Sequence, residues 1–205
     1  MDFWNTRYTD SRYAYGTAPN VFFAEQLVKY KPTGSILLPA DGEGRNGVYA
    51  AQQGLEAYAF DLSAEGQKKA LQLAGDRGVT LDYRTGDFRE LGYRKDSFDV
   101  LALIFAHFPA DQQEVFNRQL GTYLRPGGLL LFEAFGSEHL HYRTANPKVG
   151  GPGAAEMLFS TDELRRTFLN YRIDLLEERT VTLNEGPFHQ GTGSVVRMVA
   201  HKPLQ

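Results

Sequence analysis

Apolar positions along the chain alternate between a helical and an extended period. Segment 20–30 brings Val21, Phe22, Phe23, Leu27 and Val28 to one face with Asn20 placed to cap, which predicts a helix ended by Lys31-Pro32-Thr33-Gly34. The apolar run 35–38 predicts a strand that feeds Asp41-Gly42-Glu43-Gly44-Arg45-Asn46-Gly47 and then a helix over 48–53. Segment 55–60 reads as the second strand, 64–77 as a helix rich in Ala, Leu, Gln and Lys, and 79–83 as the third strand. Residues 98–105 are almost continuously apolar, as expected of a parallel strand covered on both faces.

An amphipathic helix over 111–123, the turn Arg125-Pro126-Gly127-Gly128 and a strand over 129–135 follow. Residues 136–160 then lose all periodicity and carry Pro147, Gly150, Gly151, Pro152 and Gly153, the texture of a functional loop or lid. A helix starting at Thr161 and two strand-like runs, 172–183 and 194–202, complete the pattern, with 184–193 joining the last two as a hairpin. Alternating strands and helices predict a doubly wound, Rossmann-like α/β domain over 1–205 whose mostly parallel sheet gains one antiparallel strand from the terminal hairpin. Ligands of such sheets bind beyond the carboxyl ends of the strands, so the candidate residues are those that follow each strand.

Composition narrows the partners. A net charge of -3 without a Lys/Arg run argues against nucleic acid, and the absence of Cys excludes disulfides, Cys-ligated zinc and thiolate nucleophiles. The lack of any long apolar run or leader predicts a cytoplasmic protein that does not enter a membrane. No metal is expected.

The loop Gly42-Glu43-Gly44-Arg45-Asn46-Gly47 matches G-x-G-x-x-G between a strand and a helix, where small residues admit a ligand to the backbone. Asp61 ends the second strand, placed to accept from ribose hydroxyls, and Asp87 follows the third, placed to accept from an adenine amino group with Phe88 beside the base. Three such positions in register outweigh each one alone. A nicotinamide-dependent oxidoreductase, NAD(P) bound on the same loop, is also compatible, as is a non-catalytic cofactor-binding module.

With Ala59-Phe60-Asp61-Leu62-Ser63, Gly86-Asp87-Phe88, Ser97-Phe98-Asp99, Leu124-Arg125-Pro126-Gly127-Gly128 and the opening Trp4-Asn5-Thr6-Arg7-Tyr8, this set resembles the class I methyltransferases, most of all the small bacterial tellurite-resistance and thiopurine-type enzymes. The resemblance implies a seven-stranded sheet with its last strand reversed and S-adenosyl-L-methionine as cofactor, its methionine part over the glycine loop, Asp61 on the ribose and Asp87 at the adenine. Asp41, Gly42, Glu43, Gly44, Asn46, Asp61, Leu62, Ser63, Asp87, Phe88 and Phe105 are the expected cofactor residues. Leu38 and Ala40 depart from the family, which usually has an acidic residue and a glycine there, so Asp41 or Glu43 is left to meet the cofactor's amino group.

Methyl transfer from a sulfonium relies on positioning more than on a strong base. His107, after the fourth strand, is the candidate catalytic residue, and Tyr8, Tyr15, His189 and Arg197 are candidates for a small-molecule acceptor. The lack of an Asn/Asp-Pro-Pro-aromatic run there argues against DNA and glutamine nitrogens as acceptors. Glu133 is expected to be a paired structural carboxylate. An amino-terminal cover, 1–18, and a lid, 136–160, are expected to close the acceptor site.

Overall fold

A computed structural model describes residues 2–204; Met1 and Gln205, the ends of the expected 1–205 domain, lie outside the described residues. In chain order the elements are α1 (Asp2–Tyr8), α2 (Val21–Tyr30), β1 (Ser35–Pro39), α3 (Arg45–Gln52), β2 (Glu56–Asp61), α4 (Ala64–Asp76) and β3 (Asp82–Thr85). There follow β4 (Phe98–Ile104), α5 (Gln113–Gly121), β5 (Leu124–Phe135), α6 (His139–Ala145), α7 (Thr161–Thr167), β6 (Arg172–Glu185) and β7 (His189–His201). The seven strands form one sheet in the order β3-β2-β1-β4-β5-β7-β6. Strands β1 to β5 pair in parallel, while β7 runs antiparallel to both β5 and β6, so the last strand is the reversed one.

The apolar run of β4 explains its central place. Val100, Ala102 and Ile104 pack into the layer of α2, α3 and α4, whereas Leu101 and Leu103 pack into the layer of α5 and α7. Alternation along a strand thus supplies both faces of a two-sided core. Helix α2 buries Phe22, Phe23 and Leu27 against the sheet, and Asn20 caps it by accepting from the Phe23 N–H at 2.9 Å.

Several boundaries move. Helix α3 begins at Arg45 rather than residue 48, because Gly44 at φ 84° starts it, and β3 begins at Asp82 rather than 79. The expected turn at 125–128 lies inside β5 as an irregularity, with Leu124 opposite Phe98 and Leu129 opposite Val100. The hairpin connection shrinks from 184–193 to 186–188, since Glu185 and His189 already pair. The expected loop 136–160 contains α6 and two short 3-10 turns, and it buries His139, Val149, Leu158 and Phe159. Buried apolar side chains spread among glycines and prolines give no helical or strand period, which is why the sequence pattern misses that packing.

Candidate active site

A cavity of about 920 Å³ opens at the carboxyl ends of β1 to β5, bounded by α1 and residues 15–16 on one side and by 143–157 and 187–189 on the other. Such a volume lies at the upper end of the range of roughly 300–1,000 Å³ for ligand sites, room for more than one small molecule.

The turn after β1 sets one wall. Ala40 at φ 54° and Gly42 at φ 57° bend the chain so that Asp41 points inward, and the Gly47 N–H donates to Asp41 Oδ2 at 3.0 Å. Burial raises the Asp41 carboxyl to about 7, the Gly47 amide and Arg45 only partly offsetting it. A Cβ on Gly42 would lie 2.6 Å from the Tyr8 hydroxyl, so the missing side chain lets Tyr8 lie over the loop, where Trp4 stacks on it at 5.7 Å. Tyr8 therefore covers the glycine loop, beside Asp61, rather than standing apart in the acceptor region; burial and then the Asp61 charge keep its phenol protonated.

Gly44 corrects an expectation. It does not line the cavity; its missing side chain brings α3 against α4, since a Cβ would sit 2.5 Å from that of Ala70. The second glycine of the apparent dinucleotide motif thus serves helix packing, which removes its expected contact with a ligand. Ser63 is likewise fully buried and off the cavity, caps α4 by accepting from the Gly66 N–H at 3.0 Å, and donates to Asn5 Oδ1 at 2.7 Å.

Asp61 lines the cavity with its two oxygens fixed by backbone amides, Gly42 N–H on Oδ2 and Ser63 N–H on Oδ1, each at 3.0 Å. Each oxygen keeps a further lone pair for a ligand hydroxyl. Leu62 beside it is half-open to solvent. Glu43 lines the same wall, but both its oxygens are used, by Ala14 N–H at 2.7 Å and Lys69 Nζ at 2.6 Å. Asn46 reaches the cavity wall while its Oδ1 accepts from the Asn20 N–H at 2.9 Å. Leu38, at the family's acidic position, is buried in the core.

Asp87 reaches the rim paired with Arg89, whose guanidinium holds the carboxyl below its usual range; sequence reasoning missed Arg89. Phe88 stacks on Phe60 at 5.9 Å and meets Phe116 edge-on at 5.3 Å, forming the aromatic floor of that end.

The opposite wall is built around Phe135. His107 stacks on it at 6.1 Å, nearly parallel, and His139 lies against it at 3.9 Å. His107 Nδ1 is buried with no partner among the described residues, and burial, followed by the neighbouring His189 and His139, lowers the ring to about 4. Phe105 takes φ 51° at the end of β4 and packs on Phe135 at 4.7 Å. His189 and Tyr15 meet at 4.5 Å with their rings tilted, on the same wall.

Arg197 is the further correction. It lies off the cavity, paired with Glu133, its guanidinium over the Phe22 ring at 4.8 Å, while Asn20 Nδ2 donates to Glu133 at 2.6 Å. Glu133 is thus the paired structural carboxylate expected, and Arg197 is consumed in pairing it. Missed from sequence were Arg143, whose Nε donates to the Gly151 carbonyl at 3.1 Å on the cavity wall, and the Arg45–Glu185 ion pair at 3.0 Å.

Residues 39–132, a little under half of the chain, match the family model described as a methyltransferase domain. No curated protein matches the sequence significantly. Among solved structures, the chain superposes on a protein studied for conversion of a disulfide bond into a thioacetal group during echinomycin biosynthesis, with TM-score 0.79 and 16% identity over 100% of this chain and 92% of that one. It is similar to TehB from Haemophilus influenzae, with TM-score 0.70 and 14% identity over 98% and 66% of the two chains. A third likeness is to magnesium protoporphyrin IX methyltransferase from Synechocystis with bound S-adenosylhomocysteine, TM-score 0.65 and 15% identity over 88% and 79%. No helix among the described residues is long and apolar enough to cross a membrane. Residues 39–132 thus match a methyltransferase domain model, and the whole chain takes the fold of solved structures that include S-adenosylmethionine-dependent methyltransferases.

Proposed function

We propose that this enzyme methylates a small-molecule acceptor in the cavity at the strand ends, the cofactor lying along the walls of β1 to β3 and the acceptor against the wall around Phe135. The observation that carries the reading is Asp61, fixed by two backbone amides at a cavity wall with lone pairs left for two hydroxyls. Asp41, which has no ion pair among the described residues where Glu43 is paired with Lys69, supplies the charge for the cofactor's ammonium group. Gly42, Asn46, Leu62 and Phe88 complete the cofactor wall, Phe105 stands where it borders the Phe135 wall, and Asp87, released from Arg89 or shared with it, reads the adenine.

The bound cofactor supplies an activated methyl group. The protein's part is to align the acceptor and exclude water: Tyr15 from the amino-terminal cover, His107 beside Phe135, and the glycine-rich stretch of 136–160 enclose the acceptor, while Tyr8 covers the glycine loop. Grouping with the tellurite-resistance and thiopurine-type enzymes rests on the motif run alone. A nucleic-acid acceptor is disfavoured by the net charge of -3. Calorimetric titration with S-adenosylhomocysteine is expected to give micromolar binding and to slow amide exchange in 3–16, while 136–160 slows further only when an acceptor is added. Binding of NAD or NADP in its place would overturn the reading.

A further inference from the structure

His189, the first residue of β7, faces Glu185, the last of β6, across a three-residue turn. Its Nδ1 lies 2.9 Å from Glu185 Oε2, and both side chains are buried. The same carboxylate takes Arg45 Nη2 at 3.0 Å and Asn20 Nδ2 at 3.2 Å. Burial opposes ionisation of Glu185, yet the bonds from His189 and Arg45 outweigh it and hold the carboxyl down at about 2. An ionised carboxylate only accepts, so Nδ1 carries the ring hydrogen and Nε2 the lone pair. Nε2 has no partner among the described residues, on a ring that lines the cavity. Tyr15 at 4.5 Å, Phe105 at 4.9 Å and Phe135 at 5.3 Å fix the ring plane. Burial lowers the basicity of His189, Glu185 opposes this, and Arg45 and Arg7 add to the lowering, which leaves the ring neutral at physiological pH. His107 has the cavity but no carboxylate to orient it.

The geometry points to His189 as the general base of the methyl transfer, oriented by Glu185 and Arg45, with a phenolic hydroxyl as the acceptor. This rests on the methyl-transfer reading above. The acceptor half is walled by Tyr15, Phe105, Phe135 and Phe188, which suits an aromatic ring. A phenol is neutral near pH 7, so its oxygen attacks productively only as its proton leaves; an amine attacks with a free pair and needs no base in that step. The oxygen lone pair forms the bond to the methyl carbon while the carbon–sulfur bond breaks with its electrons staying on sulfur. The hydroxyl proton passes to Nε2, the imidazolium is stabilised by Glu185, and water later removes the proton.

The test compares the wild type with His189→Gln and Glu185→Gln on a series of substituted phenols and on para-nitrothiophenol, an aryl thiol already ionised near pH 7. His189→Gln is expected to bind S-adenosylhomocysteine as the wild type does, to methylate the thiol within several-fold, and to lose about 10²–10⁴-fold on phenols. Equal losses on both acceptors mean that the ring only shapes the pocket, and unchanged phenol rates remove the base; either overturns the assignment. Independently of turnover, ¹⁵N NMR of the wild type at pH 7 is expected to show a neutral His189 with hydrogen on Nδ1, a preference that weakens in Glu185→Gln. An imidazolium there overturns the proposal. A wild type that binds S-adenosylhomocysteine but methylates no phenol overturns the acceptor class alone, whereas failure to bind it overturns the reading beneath.

Discussion

The two halves of the cavity are built from opposite materials. At the ends of β1 to β3 stand four carboxylates, Asp41, Glu43, Asp61 and Asp87, of which Asp41 and Asp61 form no ion pair among the described residues. Around Phe135 stand aromatic rings and three histidines, with Arg143 and Lys148 on the wall and Glu185 withdrawn behind His189. The first half holds unneutralised negative charge in a buried place, an arrangement that favours a cationic ligand and is under strain without one. The second is aromatic and rigidly packed, with cations, Arg143 and Lys148, rather than carboxylates on its wall. Electrostatics thus distinguishes the two halves, and under the proposed reading the sulfonium-bearing cofactor takes the first and its acceptor the second.

The largest effect expected from this contrast is on stability. Asp41 has its folded value raised from 3.8 to about 7, so the folded state holds a proton that the unfolded chain has lost. Stability from Asp41 is therefore greatest below pH 4 and falls as pH rises through 7, by about 4 kcal/mol at 1.36 kcal/mol per unit. Thermal unfolding of Asp41→Asn between pH 5 and pH 8 is expected to show a much flatter decline than the wild type. Parallel curves for the two proteins would remove Asp41 as the source of strain. The next effect is on affinity: Asp61→Ala is expected to weaken S-adenosylhomocysteine binding about 10-fold to 100-fold, from hydrogen bonds to a charged acceptor of about 1.5–3 kcal/mol. Calorimetry on a folded variant decides it, and undiminished affinity would take the ribose away from Asp61.

The same contrast governs what the sequence could show. Asp41 and Asp87 sit in short turns just after their strands and Asp61 ends β2, so all three were legible from local pattern, and the parallel character of the sheet followed from the alternation of periods, whereas the strand order was not read from it. The acceptor half is assembled by long-range contacts that no local pattern encodes. Arg45 meets Glu185 and Arg197 meets Glu133 across the sheet, and neither pairing has a spacing that announces it. Ser63 and Gly44 sat within a correct motif, yet capping and helix packing claimed them. The Glu185–His189 pair did leave a trace: Gly186-Pro187-Phe188 is short enough for a tight hairpin turn, and placing the strands flush against it puts the two residues opposite each other. Reading ten residues as loop hid it.

The smallest effect concerns Ala40, where the chain enters the cofactor half. At φ 54° it occupies the left-handed region that costs a residue with a Cβ roughly 1–2 kcal/mol, and a glycine is usual there in the family this chain resembles. Ala40→Gly relieves that strain, but the unfolded chain gains freedom worth about 0.4–1 kcal/mol, and a methyl group that packs toward the lower core cluster is lost. The terms nearly cancel, so the unfolding temperature is expected to move little. Ala59→Gly supplies a reference without strain, because Ala59 lies in β2 without a positive φ, although its methyl is fully buried where that of Ala40 is only partly so. The difference between the variants carries the strain together with that deeper burial, and roughly 1–2 kcal/mol of strain corresponds to Ala40→Gly melting at least about 2–8 °C above Ala59→Gly in a chain of this size. Equal melting temperatures would mean that the turn after β1 stores no strain. The strain of the half around Asp41 and Asp61 would then rest on charge alone.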